Sequence, residues 1–231
     1  MRTWLIGVAV GIVVVLAVAA GLYVLMNSRT YQLQGRLVDR VETDEQVVAL
    51  TFDDGPTERT PEVLAMLAEL DVPATFYLVG KDLAAHPEYG TAIAAAGHEL
   101  GNHTYNHHRM VLVSADTVRS EIERTDEQIR RTGYQGEITF RPPYGKKLWE
   151  LPHYLARHDR TTVTWDVEPD SAGGASRARI VEDTLARTRP GSIILLHVMY
   201  GTESAAAVPD IVRGLRAKGY RFVTVSELVE R

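Results

Sequence analysis

The sequence predicts an α/β fold: a distorted, incomplete (β/α) barrel of about seven parallel strands, preceded by an N-terminal transmembrane helix. Three observations predict it. From residue 46 onward, short apolar runs alternate with helical patterns, and strict alternation implies parallel strands joined by crossover helices. Residues 46–231 fall short of the roughly 250 residues of an ordinary eight-fold barrel, which points to an incomplete one. Finally, Asp53, His103, Arg141, Asp166 and His197 each fall just past the end of an expected strand, where barrel enzymes place their chemistry. A doubly wound open sheet is the alternative arrangement of the same alternation.

Residues 4–26 form an unbroken apolar run in which only Trp4 and Tyr23 carry polar atoms. About 20 such residues suffice to cross a bilayer as a helix. Ala17-Val18-Ala19 matches a signal-cleavage site, but the run continues through Leu22, Val24 and Leu25. A signal sequence needs only about 7–15 apolar residues, so an uncleaved anchor over residues 1–29 is the expectation. Residues 30–45 are polar and mixed in charge, and read as a linker, a tether or a short leading segment, before one domain over 46–231.

Within that domain the expected strands are 47–51, 74–79, 98–101, 137–140, 161–165, 192–196 and 221–224. Each is a short apolar, β-branched-rich run bounded by turn residues. The expected helices are 61–70, 89–96, 115–131, 147–158, 178–187 and 208–218. Pro61 sits at a permitted first-turn position, Gly97 stops the small-residue helix, and Val118, Ile122 and Ile129 mark one face of the longest.

The chain carries formal net charge −5 and no cysteine. An acidic balance is no footprint for nucleic acid, and it disfavours tight electrostatic binding to anionic polymer. The lack of cysteine suits an oxidising compartment.

Five short motifs carry the chemistry. They are Thr51-Phe52-Asp53-Asp54-Gly55-Pro56, His103-Thr104-Tyr105-Asn106-His107, Arg141-Pro142-Pro143-Tyr144, the segment from Trp165 to Asp170, and Leu195-Leu196-His197. Singly, each has a plain reading. Asp, Gly and Pro make turns, and a histidine ending an apolar run can be a satisfied core residue. Four-residue spacing puts His103 and His107 on one face if the segment is a helical turn. Together they supply an acid and two histidines for a divalent metal, with a second acid and a third histidine left for proton transfer. That inventory describes a metal-assisted hydrolase.

These motifs resemble the polysaccharide deacetylases of the NodB-homology type, carbohydrate esterase family 4, from about Val47 to the C-terminus. The resemblance implies a distorted (β/α) barrel. It implies Asp54, His103 and His107 as ligands of Zn²⁺ or another divalent ion such as Co²⁺. It makes Asp53 the general base, Arg141 its positioning residue and His197 the general acid. The Tyr144 N–H becomes the oxyanion donor, and Tyr144, Trp165 and Leu195 contact substrate. The fourth motif departs from the family pattern: Glu168 stands where an aspartate is usual, so either Glu168 or Asp170 is left to tune His197, and Asp166 can be plain loop.

The implied activity removes acetyl groups from N-acetylglucosamine residues of a surface glycan, peptidoglycan first and chitin-like oligomers second. The alternatives are an O-acetyl esterase acting on xylan-like polymers and a non-catalytic carbohydrate-binding protein of the same fold. Arg29, Arg36 and Arg40 after the apolar run, against Arg2 before it, argue by charge counting for a cytoplasmic C-terminus. A glycan substrate argues for the domain outside, held to the membrane by its N-terminal helix.

Overall fold

In the computed structural model, residues 2–171 and 174–231 are described. Helix α1, Arg2–Asn27, leads into strand β1, Leu37–Val38, and strand β2, Val47–Asp53. There follow α2 (Thr60–Leu70), β3 (Thr75–Leu78), α3 (Gly80–Ala85), α4 (Pro87–Ala95), β4 (Glu99–Asn102) and α5 (Ala115–Arg131). The second half holds α6 (Glu150–Arg157), β5 (Thr162–Val163), α7 (Arg177–Arg187) and β6 (Ile193–Leu196). It closes with α8 (Thr202–Ala217), β7 (Arg221–Val223) and α9 (Val225–Val229).

Strand β2 is central and fully buried. It pairs in parallel with β3 on one edge and β6 on the other, and its first residues pair with β7. β3 pairs with β4, and β1 with β5, also in parallel. Single bridges carry the circuit onward: Asn102 to Phe140, Phe140 to Thr162, and Val167 to Ile194. The result is an incomplete barrel whose far side is stitched residue by residue.

Side-chain alternation sorts the core. Val48, Leu50 and Phe52 pack outward under the helices with Phe76, Leu78 and Leu196. Val47 and Ala49 face inward with Tyr77, Val163, Trp165, Ile193 and Leu195. Continuing the inward period along β2 reaches Thr51 and then Asp53; along β6 it reaches His197. The same period that fills the barrel therefore delivers these side chains to its mouth. Gly101 on β4 makes room for the inward Tyr77 ring, which a Cβ there would meet at 2.4 Å.

Four expectations are corrected. Residues 137–140 form no strand. Phe140 alone bridges β4 and β5, because Pro142 and Pro143 follow and offer no N–H to extend a ladder. Residues 30–45 are not a free tether: Gln32 and Val38 are buried, and β1 pairs with β5. Helix α8 starts well before Val208 and runs through Pro209. Burial of Ala205, Val208, Ile211, Val212 and Leu215 offsets the hydrogen bond that Pro209 removes. The short helices α3 and α9 were not expected.

Candidate active site

Asp53 ends β2 with its carboxylate almost fully buried. Arg141 Nη1 donates to Asp53 Oδ1 at 2.6 Å and to Thr51 Oγ1 at 2.8 Å. Its other nitrogens donate to the carbonyls of Val163 and Thr164. The guanidinium stacks 4.0 Å from the centre of the Tyr77 ring. Arg141 is thus wholly buried, paired and hydrogen-bonded, the condition under which a buried ion pair is tolerated.

Asp54, His103 and His107 offer one ligand atom each, all within 4.8 Å of one another. His107 Nε2 lies 3.2 Å from Asp54 Oδ1, and His103 Nε2 lies 3.7 Å from Asp53 Oδ2. His103 Nδ1 sits 2.7 Å from the Arg141 carbonyl, which fixes that nitrogen as the N–H and leaves Nε2 as a lone-pair donor facing the cleft. A carboxylate and two imidazoles so arranged fit a divalent ion that binds nitrogen and oxygen, with positions left for water and substrate.

The two histidines do not share a helical turn. After β4 the chain forms a loop, with left-handed φ of 67° at Thr104 and 59° at His107. The Asn102 side chain accepts the Thr104 N–H at 2.8 Å. Buried Glu121 of α5 accepts the Asn106 N–H at 2.7 Å and its side-chain amide at 2.6 Å. The first amides of α3 donate to the carbonyls of Thr104 and Tyr105. Asp54 (φ 68°) and Tyr144 (φ 59°) are also left-handed, so four of the seven such non-glycine residues described surround this one site. Strain of that kind persists where the surroundings hold it and concentrates at functional sites.

His197 follows β6. Asp170 Oδ2 accepts its backbone N–H at 2.8 Å, and Asp170 Oδ1 lies 3.1 Å from its ring Nδ1. Ser204 donates a further bond to Asp170 at 2.7 Å. Burial lowers the His197 pKa, but the Asp170 hydrogen bond and the charges of Asp53, Asp170 and Asp54 outweigh it and push it up to about 9. Burial also raises Asp170, and its bonds with His197 and Ser204 bring it below the usual carboxylate range.

Glu168 does not touch His197. It accepts the Trp165 indole N–H at 2.8 Å and pairs with Arg29 at 3.2 Å, while burial raises its pKa. Asp166 accepts from Ser192 Oγ and the Ile193 N–H, tying two strand ends together. Tyr144 is exposed, its ring 4.8 Å from that of His107, and among the described residues its N–H meets no acceptor.

Asp53, Asp54, His103, His107, Tyr144, Trp165, Glu168, Leu195 and His197 line one cleft of about 630 Å³. Asp170 stands behind His197 and Arg141 behind Asp53. Sequence reasoning missed Glu121, Asn102 and Ser204. Glu121 had a legible sign: it is an acid on the apolar face that carries Val118 and Ile122.

The sequence profile of the polysaccharide deacetylase family matches residues 40–163. The chain belongs to the polysaccharide deacetylase family. It is a hydrolase of carbohydrate esterase family 4. A peptidoglycan-N-acetylglucosamine deacetylase of Bacillus cereus is 36% identical over 187 residues, 79% of this chain and 68% of that protein. A bifunctional xylanase/deacetylase of Pseudobutyrivibrio xylanivorans is 34% identical over 189 residues, 81% of this chain but 31% of that protein. A crystal structure of a peptidoglycan N-acetylglucosamine deacetylase with a bound N-hydroxybenzamide superimposes with TM-score 0.79. It is 34% identical, and the match covers 83% of this deacetylase and 92% of that chain.

Proposed function

We propose that this deacetylase removes N-acetyl groups from N-acetylglucosamine residues of a cell-surface glycan, with peptidoglycan first and chitin-like oligomers second. The observation that carries the reading is the meeting in one cleft of the Asp54–His103–His107 trio, Asp53 with Arg141 behind it, and His197 with Asp170 behind it. The names of the peptidoglycan relatives support the substrate class.

Asp54, His103 and His107 are the residues that would hold the metal, Zn²⁺ first and Co²⁺ as another divalent choice. When bound, it supplies Lewis acidity and a more acidic water. The rest belongs to the chain. Asp53, oriented by Arg141, accepts the proton of the attacking water. The Tyr144 N–H, which meets no acceptor among the described residues, is the donor for the oxygen that gains charge as the water oxygen bonds to the acetyl carbon. An amine leaves only when protonated, and His197, charged at neutral pH because Asp170 holds it so, delivers that proton. The C–N bond breaks to give acetate and a free amino sugar. Leu195 and Trp165 form the apolar wall for the acetyl methyl.

An amine needs the proton that His197 supplies more than an alkoxide does, and the same site can also cleave esters. The xylanase/deacetylase relative supports acetylated xylan as the second reading. Muropeptide composition with and without the protein, beside acetate release from acetylated xylan, separates the two. Unchanged muropeptides with fast xylan de-esterification would transfer the assignment.

The same reading places α1 in a membrane with the domain outside. Residues Trp4–Asn27 are long and apolar enough to cross, and residues 4–24 are exposed rather than packed on the protein. Such a surface in water is untenable, which supports a lipid surrounding over a free helix.

A further inference from the structure

The end of α1 is built into the catalytic cleft. The apolar side chains described from Trp4 to Val24 are exposed, and contact with the domain starts at Leu25. From there the contacts are dense. The Lys147 N–H caps the Met26 carbonyl at 3.3 Å, and Lys147 Nζ donates to the Ser28 carbonyl at 2.5 Å. Lys146 Nζ bonds the Asn27 side chain. Thr164 Oγ1 donates to the Arg29 carbonyl at 2.6 Å. Arg29 pairs with Glu168, the fourth-motif residue that departs from the family pattern, and lies 5.6 Å from the Trp165 ring centre. Asn27 and Arg29 line the same cleft as Asp54 and His197.

These contacts fix a height. About 20 residues span the roughly 30 Å of hydrocarbon, and the headgroup layer adds only about 5–8 Å on each side. Helical rise is about 1.5 Å per residue, so the Leu25–Arg29 segment lies in that layer when α1 spans. Exposed Tyr23, Tyr31 and Trp149 lie within a few residues of the exit or of its lysine partners, and such rings settle at headgroup level.

We propose that the cleft works at the membrane surface, with Asn27 and Arg29 as one wall, and takes acetylated saccharides carried on a membrane lipid. The proposal rests on the deacetylase and anchor readings above. A saccharide joined to a lipid presents its acetamide at headgroup level; a strand of mature polymer lies further out.

The test uses the full chain in vesicles and one acetylated glucosamine oligomer in three forms: free, bonded to a lipid by a short linker, and bonded through a flexible spacer. The spacer is a polyethylene glycol of roughly 40 Å, well beyond the headgroup layer. Acetate release from the short-linked form should exceed that from the long-spacer form at least ten-fold. A variant with eight Gly/Ser residues inserted between Val24 and Leu25 keeps the wall but lifts the cleft. It should level or reverse that order while turning over the free oligomer as before. Equal or faster release from the long spacer by the native chain overturns the proposal. Release of the chain from vesicles by a carbonate wash overturns the anchor reading and the proposal with it. A retained chain that yields no acetate from any form overturns the deacetylase reading instead.

Discussion

Asp170 grips His197 twice, taking the backbone N–H on one carboxylate oxygen at 2.8 Å and facing ring Nδ1 with the other at 3.1 Å. The first bond fixes where the histidine stands, and the second directs Nε2 into the cleft and favours the charged ring. The fourth motif left Glu168 and Asp170 open as tuners of His197; the geometry brings Asp170 against His197 and turns Glu168 toward Trp165 and Arg29.

Asp170→Asn should lower the His197 pKa from about 9, because a neutral amide gives no charge to hold the imidazolium. A general acid works only while protonated, so with His197 in its proposed role the alkaline limb of kcat/KM should fall where it loses its proton. That limb should move to lower pH in Asp170→Asn, with the acid limb unchanged. In the metal-loaded enzyme the cation offsets the push from Asp53 and Asp54, so the native limb lies below the metal-free value while the Asp170 contribution persists. Stability follows the same sign. A folded pKa above the unfolded value of roughly 6.5 stabilises fully below that pH and is lost as pH rises toward about 9. Native Tm should therefore fall across that window more than the Tm of Asp170→Asn.

Arg141→Ala should cost roughly 3–5 kcal/mol, since it strands a buried Asp53 carboxylate without its partner. Adding Asp53→Asn should recover a large part of that loss. Urea unfolding of the two single variants and the double closes the cycle. Strictly additive losses would show that the pair is not coupled.

Glu121→Ala should weaken divalent-metal binding, zinc being the ion titrated, by about 10–100-fold without touching a residue of the trio. Glu121 holds the Asn106 backbone and side chain, and with them the left-handed turn at His107. Titration calorimetry on the metal-free protein reads the effect, and Glu121→Gln, which keeps an acceptor, should recover part of it. Unchanged affinity in Glu121→Ala would free the loop from this support.

What the sequence made legible was periodic. Apolar runs at 47–51 and 192–196 read as strands, so Asp53 and His197 could be placed at strand ends from the sequence; the structure adds that inward alternation along β2 and β6 carries both side chains to the barrel mouth. What stayed hidden was held by distant partners. The approach of His103 to His107 depends on positive φ at Thr104 and His107, stabilised from α5 and α3, and four-residue spacing suggests a helical turn that does not form. Strand β1 is two residues inside a polar stretch, and its pairing with β5 lies more than a hundred residues away. Phe140 shows the converse: an apolar run reads as a strand, but the prolines after Arg141 limit it to a single bridge.

Metal binding and proton transfer should separate by mutation. His103→Ala removes one nitrogen of the trio and should lose metal and activity together, read by metal analysis of the purified protein. Asp53→Asn should keep the metal, because Asp53 lies beside the trio rather than in it: its carboxylate is 3.7 Å from His103 and is taken up by Arg141 at 2.6 Å. Losing a general base typically lowers turnover about 10²–10⁴-fold, so Asp53→Asn should fall in that range with near-native zinc content. The amide still accepts from Arg141 but leaves its charge unbalanced, so Asp53→Asn should also lose stability, and zinc content is read on the folded fraction. Full zinc occupancy in His103→Ala would remove that residue from the ligand set. Loss of zinc in Asp53→Asn would instead move Asp53 into it and leave the base to be found elsewhere in the cleft.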